Sequence, residues 1–413
     1  MSIIVLKFGG TSVGDPARIK NVAQIVKREV DAGNKVAVVV SAMSGETNRL
    51  VAFCKEFNVQ NEEEYDTVVS TGEQVTVGLL AMALQEIGLK ARSWLGWQLG
   101  IRTDATHSKA RIEGIDCAQI IKGFESGEIA VIPGFQGVTD EGRISTLGRG
   151  GSDTSAVAVA AALKPLTSED VRCDIYTDVD GVYTTDPRIV PEARKLKKVG
   201  YEEMLEMASL GAKVLQIRSV ELAAKEEVVV QVRSSFNPDE AGTLLVREEE
   251  IMERRLVTGV AASQNEAQVT LIDVENVPGV AAKIFAPLAA AEINVDMIVQ
   301  NVSEDGLKTN MSFTVPKEDV KKAVAALIDA KDLTFSKLIS DEKVAKISVV
   351  GIGMKSHAGI AQTMFSTLAA KGINILVITT SEIKISVLIS SDYAELAVRA
   401  LHAAYELEKA SGK

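Results

Sequence analysis

Two glycine-rich segments carry the residues that are best suited to chemistry. The first, Leu147–Asp153, contains three glycines, one arginine and a final aspartate, and a run of small apolar residues follows it. Glycines let the backbone approach an anion closely, arginine offers a planar fork for carboxylate or phosphate, and a helix starting here would present N–H groups. The segment therefore predicts an anion site, although a glycine-rich turn that merely starts a helix remains the simpler alternative.

The second segment begins at Lys7, which follows the apolar run Ile3–Leu6 and precedes Gly9 and Gly10. The GxxxxGK[ST] order of a Walker A loop is absent, but a glycine turn and one ammonium can still hold transferring phosphate oxygens. The alternative is a buried structural lysine, and lysine is almost never fully buried without a partner. The pair of segments favours a phosphate site at Lys7.

A third segment, Thr177–Arg188, combines turn formers, acids and Tyr183. A loop of this kind can hold the base and ribose of a nucleotide, although alone it would be an ordinary Asx-rich turn. Further along, Lys213 follows Gly211 and offers another cation, with a solvated helix lysine as the alternative. Together these residues indicate a nucleotide site.

Short β-branched runs that alternate with helical segments must position these residues. The order of strand, helix and strand predicts a parallel sheet, whose carboxyl edge is where ligands bind in open α/β folds. The predicted elements are a strand at Ile3–Phe8, a helix over about 16–32, strands at Val36–Ser41, Ile129–Pro133 and Cys173–Thr177, and a helix from Thr154.

The C-terminal part contains an internal repeat. Gly279–Ile298 and Gly359–Ile378 align at a constant offset of 80 residues with nine identities in twenty. Strands are predicted beside the two copies, at Gln268–Val274 and Lys384–Ile389, so each copy is one strand, helix, strand, strand module that cannot bury its sheet alone. Paired modules predict a ligand cleft between them, and the alternative is a dimerisation device without a ligand.

Composition limits the class of protein. The chain has 413 residues, a net charge of -11 and 46% hydrophobic residues, which predicts two to three domains and argues against a nucleic-acid partner. Cys54, Cys117 and Cys173 lack the spacing of a disulfide framework or a zinc site, so we expect a reduced cytoplasmic environment. Neither a signal peptide nor an apolar stretch of bilayer length is predicted.

In their order and spacing, the motifs resemble those of the aspartate kinases in the amino-acid kinase family. The resemblance extends over essentially the whole chain and includes the last two motifs, which are similar to tandem ACT domains. The matching segments are KFGGTSV (7–13), VVSAMSGETN (39–48), STGEQ (70–74), GFQG (134–137), TLGRGGSD (146–153), TDVDGVYTTDPR (177–188), VPGVAAKIF with INVDMIVQN (277–285, 293–301), and MKSHAGIA with TTSEIKISVLI (354–361, 379–389).

The resemblance implies an amino-acid kinase fold with a largely parallel central sheet, followed by two ferredoxin-like ACT domains. The implied boundaries are 1–245 for the catalytic domain, 246–265 for a connector and a strand given to the ACT region, and 266–341 and 342–413 for the two ACT domains. A homodimer or higher oligomer through the ACT domains is also implied, with no nucleic-acid or membrane partner.

The implied activity is ATP-dependent phosphorylation of the L-aspartate side-chain carboxylate, which begins lysine, threonine and methionine biosynthesis. ATP and Mg²⁺ are the implied cofactors, with Mg²⁺ held mainly by ATP phosphates, and lysine and threonine are the implied feedback inhibitors. An ionised carboxylate is already a nucleophile, so no general base is needed, and His107, His357 and His402 carry no predicted catalytic role.

Residue roles follow from the same resemblance. The implied catalytic residues are Lys7 and Asp153. The implied ATP contacts are Lys7, Phe8, Gly9, Gly10, Ser41, Thr177, Asp178, Asp180, Tyr183, Arg188 and Lys213. The implied aspartate contacts are Ser41, Thr47, Glu73, Arg149, Gly150, Gly151 and Ser152. The implied effector contacts are Asn276, Pro278, Gly279, Val280, Ala281, Asn294, Asp296, Gln300 and Asn301, with Asn374, Ile375, Ser381 and Glu382 from the second copy.

Alternatives remain open at this point. Another carboxylate or carbamate kinase, such as a glutamate or N-acetylglutamate kinase, would use the same fold. A catalytically silent amino-acid sensor would be expected to lack Lys7 or Asp153, and both are present. Glu73 and Arg149 could also pair with each other in the empty site. The residues Asn276-Val277 and Ala358 depart from the Asp-Lys and Pro common in relatives, which weakens the assignment of the effector.

Overall fold

The computed structural model describes residues 2–59, 61–148, 150–209, 214–251, 256–352, 354 and 359–409. The chain divides into two compact units. Unit 1 consists of Met1–Val182, Lys195–Ser209 and Lys213–Met252, and unit 2 consists of Tyr183–Arg194, Leu210–Ala212 and Glu253–Lys413.

Unit 1 is an α/β structure. Its strands are β1 (Ile3–Phe8), β2 (Lys35–Val40), β3 (Ala91–Ser93), β4 (Arg102–Thr103), β5 (Ile112–Gly114), β6 (Ile129–Pro133), β7 (Gln136–Val138), β8 (Ile144–Thr146), β9 (Val171–Thr177), β10 (Lys198–Gly200), β11 (Val229–Ser234) and β12 (Thr243–Val246). Its helices are α1 (Pro16–Asp31), α2 (Glu46–Lys55), α3 (Glu62–Val69), α4 (Thr71–Glu86), α5 (Ala118–Glu125), α6 (Gly151–Leu163), α7 (Tyr201–Ser209) and α8 (Ile217–Lys225).

The central sheet of unit 1 has the strand order β10-β12-β11-β9-β1-β2-β6-β3. Each residue of β1 is buried, which is the pattern of a strand covered on both faces. The strands β9, β1, β2 and β6 run parallel, so their carboxyl ends meet at one edge. The chain moves from β1 to β2 on one side and reaches β9 on the other, and such a switch point is where open α/β sheets bind ligands.

Local sequence explains the two helices that border this edge. In α1, Asp15 accepts a hydrogen bond from the Arg18 N–H and Pro16 takes the first helical position, an arrangement that favours a helix start. Helix α6 starts after Gly150, whose φ of +72° suits glycine. The small side chains of α6, nearly all buried, let it pack closely on β1 and β9.

A second, smaller sheet of unit 1 has the order β5-β4-β7-β8. It supports the loop after β8, because the Leu147 N–H donates to the Phe135 carbonyl between β6 and β7. Phe135 itself has φ of +71°, an uncommon conformation for a residue with a large side chain. The sequence did not predict these strands, each of which has only two or three residues.

Unit 2 contains the repeat. Its strands are β13 (Gly259–Glu275), β14 (Asp296–Val302), β15 (Lys308–Pro316), β16 (Lys337–Val350), β17 (Val377–Thr380) and β18 (Lys384–Ser390), and its helices are α9 (Val280–Ala290), α10 (Val320–Ile328), α11 (Gly359–Ala370) and α12 (Ala394–Ala404). The strand order is β14-β15-β13-β16-β18-β17, with β13 and β16 antiparallel at the centre. Each half has its own apolar core.

The two halves share their central strands. Residues 259–263 of β13 pair with β16, and Glu266 together with residues 268–271 pairs with both β15 and β16. The expected domain boundaries between residues 265 and 266 and between residues 341 and 342 therefore fall inside β13 and β16, respectively. The predicted class, a largely parallel α/β unit followed by two ferredoxin-like modules, is confirmed.

Residues 183–194 leave unit 1 and belong to unit 2. Val190 is buried there, in the same core as Val398 and Leu401. The Thr184 hydroxyl lies 2.9 Å from the His402 Nε2 atom. The segment that was expected to contact ATP is therefore divided between the two units, with Thr177–Val182 in the first.

One helical stretch of the described chain, Glu62–Glu86, is long and apolar enough to meet a composition test for a membrane span. It comprises α3 and α4, and 56% of its most apolar window is buried inside the structure. A core helix passes the same test, and Val77, Leu80 and Leu84 of α4 indeed lie in the core of unit 1.

Candidate active site

Lys7 lies at the carboxyl edge of the central sheet and faces the first turn of α6. Its side chain is largely buried, and its Nζ lies 2.6 Å from Oδ1 of Asp153. A Cβ atom added to Gly9 would come within 3.3 Å of that nitrogen, so the ammonium folds back over the glycine turn. The structure thus brings together the two predicted catalytic residues, and a buried carboxylate satisfies the buried lysine.

The positive end of the α6 dipole lies at this ion pair. Gly151, Ser152 and Asp153 form the first turn, where the helix dipole is positive. The Gly151 and Asp153 N–H groups already donate to the Gly148 and Gly150 carbonyls. The Ser41 hydroxyl, just past β2, donates to the Ser152 hydroxyl at 3.0 Å. Predicted contacts from two separate segments, Ser41 and the start of α6, therefore meet beside Lys7.

Glu73 occupies a buried position in the first turn of α4. Its Oε1 accepts a hydrogen bond of 2.9 Å from the Ala42 N–H, whereas Oε2 has no partner among the described residues. Burial raises the pKa of Glu73 from 4.5 to about 7, with the Ala42 hydrogen bond opposing the shift. A buried carboxylate with one free oxygen is suited to bind a cationic group.

The raised pKa of Glu73 predicts a pH-dependent stability. Because the folded protein holds this proton more tightly than the unfolded chain, stability should fall as pH rises from about 4.5 to about 7. This difference in pKa corresponds to roughly 3 kcal/mol in the free energy of unfolding. We expect Glu73→Gln to remove this contribution, which urea unfolding of both proteins at pH 5 and pH 8 would measure. Equal pH dependence in the two proteins would contradict the assignment.

The residues that were predicted to contact the nucleotide include Thr177 and Asp178, which lie where β9 ends beside β11. Thr177 ends β9, and its hydroxyl donates to Asp178 at 3.1 Å. Ser235, just past β11, donates through both its N–H and its hydroxyl to the Thr177 carbonyl. The Ser12 hydroxyl donates to the Ser235 hydroxyl at 2.8 Å, which ties the Lys7 glycine turn to this edge.

The remaining predicted contacts are less well grouped. Thr47 is half-buried on α2, and Asp180 pairs with Lys195 at 3.1 Å. Tyr183 and Arg188 belong to unit 2, where the exposed Arg188 guanidinium pairs with Asp186. Arg149 and Lys213 lie outside the described residues, and so does the possible Glu73–Arg149 pair.

Sequence reasoning missed several residues that shape the site. Ser12, Ser235 and Gly134 are among them. A Cβ atom on Gly134 would lie 2.7 Å from the Ser152 side chain, so glycine is required for this close approach. Gly134 is the first residue of the GFQG motif, so the sequence did contain a signal for it. Ser12 and Ser235 meet only because β1 and β11 flank β9.

In unit 2, the predicted effector residues lie on both halves of the repeat. Gly279 precedes α9 with φ of +89°, and the Asn276 amide donates to the Gly306 carbonyl. Ser381 accepts hydrogen bonds in the turn before β18. The other predicted contacts are Pro278, Val280 and Ala281 at the start of α9, Asn294 before β14, Gln300 and Asn301 on β14, and Asn374, Ile375 and Glu382 in the second half.

Asp296 holds the best-defined contact of this group. Lys346 of β16 is 5% exposed, and its Nζ lies 2.6 Å from Asp296 and 3.3 Å from Glu266. Burial would raise the pKa of Asp296, but the hydrogen bond and charge of Lys346 hold it below its usual value. One lysine therefore joins carboxylates of β13 and β14 to the second half of the repeat.

Comparisons with known proteins agree with this architecture. The sequence profile of the amino acid kinase family matches residues 2–234, and that of the ACT domain matches 272–330 and 347–405. The chain is 52% identical to the aspartate kinase of Pseudomonas putida, covering 99% of this chain and 98% of that protein. The chain belongs to the aspartate kinase family. It is also 48% identical to aspartokinase 2 of Bacillus subtilis, covering 99% of each.

Solved aspartokinase structures share the fold. Aspartokinase III of E. coli, solved in complex with aspartate and ADP in the R-state, has a TM-score of 0.81 at 27% identity, covering 97% of this chain and 99% of that one. The same enzyme in complex with lysine and aspartate in the T-state has a TM-score of 0.77 at 27% identity, covering the same shares.

Membership of the aspartate kinase family confirms the resemblance and the enzyme class. The protein is a kinase that phosphorylates aspartate, built from an amino-acid kinase unit and two ACT domains. Within the candidate active site, the described residues define the Lys7–Asp153 ion pair, the α6 N-terminus and Glu73 most closely.

Proposed function

We propose that this aspartate kinase transfers the γ-phosphoryl group of ATP to the side-chain carboxylate of L-aspartate, giving 4-phospho-L-aspartate and ADP. The observation that carries the proposal is the buried Lys7–Asp153 ion pair beside the N-terminus of α6. Phosphoryl transfer needs positioning and charge stabilisation more than covalent chemistry, and this pair supplies a fixed cation. The presence of both residues argues against a catalytically silent sensor.

In the proposed reaction, the aspartate ammonium binds the free Oε2 of Glu73. Arg149, Thr47, Ser41 and the 150–152 backbone complete the pocket for the two carboxylates. A side-chain carboxylate oxygen attacks the γ-phosphorus, a new O–P bond forms, and the bond to the bridging oxygen breaks so that ADP leaves with the electron pair. The Lys7 ammonium stabilises the charge on the transferring group, and no proton needs to be abstracted.

The nucleotide would lie on the other side of Lys7. Gly9 and Gly10 would offer N–H groups to its phosphates, and Thr177 with Asp178 would lie near its ribose and base. The remaining proposed ATP contacts are Phe8, Ser41, Asp180, Tyr183, Arg188 and Lys213.

Mg²⁺ fits this site. No cluster of three or more His, Cys, Asp or Glu side chains suited to a metal occurs within the described ranges. Nucleotide-bound Mg²⁺ does not require one, because ATP phosphates, water and one or two carboxylates suffice. The Asp153 carboxylate lies next to the lysine that would meet the phosphates, and Mg²⁺ would add positive charge there.

Trapping the acyl phosphate with hydroxylamine tests the proposal. Because an acyl phosphate is electrophilic, it forms a hydroxamate that can be measured directly. The same assay with glutamate and N-acetylglutamate separates the proposed reaction from the other carboxylate kinases of this fold. Formation of hydroxamate from glutamate at an equal or higher kcat/KM would overturn the assignment of aspartate as the substrate.

We further propose that lysine and threonine inhibit the enzyme through the ACT domains. An aspartokinase solved in complex with lysine supports lysine as one effector. The Asp296 carboxylate pairs with Lys346 but stays about half exposed, so it is open to an amino-acid ammonium. In this proposal, the phosphorylation of aspartate is the first step of lysine, threonine and methionine biosynthesis.

Asp296→Asn tests the effector proposal in the full chain. We expect it to raise the lysine or threonine concentration needed for half-inhibition by at least about tenfold, since the charged partner of the ammonium is lost. The rate without effector should stay within twofold. Asp392→Asn makes the same charge change at an exposed residue of the second half and should leave inhibition unchanged. Equal inhibition of all three proteins would remove Asp296 from the effector site.

Two further proposals concern the oligomeric state and the cellular location. A homodimer or higher oligomer formed through the ACT domains is supported by the exposed apolar side chains Ile298, Leu376 and Ile378 on unit 2. A reduced cytoplasmic location is supported by the three cysteines, each of which is a free thiol.

A further inference from the structure

A fully buried carboxylate outside the proposed pocket holds the loop that leads into α6. Asp66 of α3 has no exposed surface. Its Oδ1 accepts from the Thr146 hydroxyl at 2.5 Å, and its Oδ2 accepts from the Thr146 N–H at 2.9 Å. The Ser108 N–H donates to both oxygens at 3.2 and 3.0 Å, and His107 Nδ1 lies 2.9 Å from Oδ2.

These contacts converge on a functional segment. Thr146 ends β8, and the next residues are the glycine loop 147–150 and the first turn of α6. The Ala110 N–H donates to the Thr146 carbonyl, and a Cβ atom on Gly148 would come within 3.0 Å of the Ser108 carbonyl. Asp66 therefore holds both Thr146, at the start of the loop, and Ser108, which lies close to Gly148 of the loop.

Helix α8 also holds the loop. The Arg218 guanidinium donates to the Leu147 carbonyl at 2.6 Å and to the Ala110 carbonyl at 2.8 Å. A Cβ atom on Gly150 would lie only 1.9 Å from Gln216. Because Asp66 and Arg218 both hold this segment, its described residues have little freedom before any ligand binds.

We infer that Asp66 is a positioning residue for aspartate binding. It acts through Thr146 and the glycine loop, and it touches neither substrate. The inference rests on the proposed function, in which Arg149 and residues 150–152 bind aspartate. A loop ordered in advance loses less conformational entropy on binding, so loosening the Asp66 anchor should weaken aspartate binding far more than ATP binding.

Asp66→Asn tests the inference, because an amide nitrogen in place of one oxygen would face N–H donors. We expect KM for aspartate to rise at least about tenfold, with KM for ATP changed less than twofold. Asp174→Asn is the matched control, since Asp174 is also completely buried in unit 1 but pairs with Arg172 and Arg233. That variant should change the two KM values by the same factor.

A second variant keeps the inference testable if Asp66→Asn does not fold. Thr146→Val removes one hydrogen bond to Asp66 and retains the carboxylate, so a smaller selective rise in KM for aspartate is expected. Circular dichroism and thermal melting establish that each protein is folded. The inference is overturned if Thr146→Val and any folded Asp66→Asn leave the ratio of the two KM values unchanged, or if Asp174→Asn changes the ratio equally.

Arg149→Ala, assayed in parallel, separates this inference from the proposed function. Unchanged KM for aspartate in Arg149→Ala would reject the proposed role of the loop itself. A large rise in Arg149→Ala without one in Asp66→Asn would reject only the anchor.

Discussion

Lys7→Ala is expected to lower kcat by about a thousandfold while the protein remains folded. The lysine nitrogen is the buried cation beside the α6 N-terminus, and removal of a donor that stabilises developing charge in such a site costs about a hundred- to a thousandfold. In the proposed reaction Lys7 meets the transferring phosphoryl group itself, which places the effect at the upper end. Hydroxamate formation at saturating aspartate and ATP measures kcat directly.

Lys35→Ala is the matched control for Lys7→Ala. Lys35 begins β2 at the opposite edge of the same sheet and pairs with Glu169. Its loss should leave kcat within twofold. A kcat for Lys7→Ala within tenfold of the unchanged protein, with an intact circular dichroism spectrum, would rule out the proposed role of this lysine.

Asp153→Asn is expected to lower kcat by about a hundredfold, because the neutral amide no longer holds the Lys7 nitrogen at 2.6 Å by charge. If Asp153 acts through Lys7, the effects of the two substitutions cannot multiply. The double variant Lys7→Ala, Asp153→Asn should then be no slower than Lys7→Ala alone.

The four proteins of this cycle are compared by kcat in the same assay. A double variant slower than Lys7→Ala by a further factor of about a hundred would mean that Asp153 has a separate function, such as holding Mg²⁺. That outcome would contradict a purely positioning role for the carboxylate.

The sequence predicted the elements that carry strong local patterns. The buried strand before Lys7, the helix from Pro16 and the repeated modules each have a run or a spacing that is visible within twenty residues. It did not predict β4, β5, β7 and β8, which are too short to show alternation. Nor did it predict that β13 runs through both modules, because residues 260–275 contain no glycine or proline that would mark the change from one set of partner strands to the other.

The candidate site was predictable to the extent that its residues lie in motifs. Lys7, Asp153 and Ser152 lie in glycine-rich segments, and the family resemblance implied Ser41; the structure brings these residues together. Asp66 and Arg218 were not, because their partners lie 80 and 71 residues away and neither residue is next to a glycine turn. Such anchors depend on tertiary packing, which a single sequence does not report.

Because residues 183–194 belong to unit 2, truncated forms of this protein are difficult to interpret. A cut after residue 245 would keep this segment but remove its apolar neighbours, leaving Ile189, Val190 and Ala193 without the core that they share with α11 and α12. The truncated chain would then expose apolar surface directly after the 177–188 motif that was predicted to bind ATP. Loss of activity in it would reflect a damaged catalytic half as readily as a missing regulatory one, so point substitutions in the full chain are the sound way to separate the two.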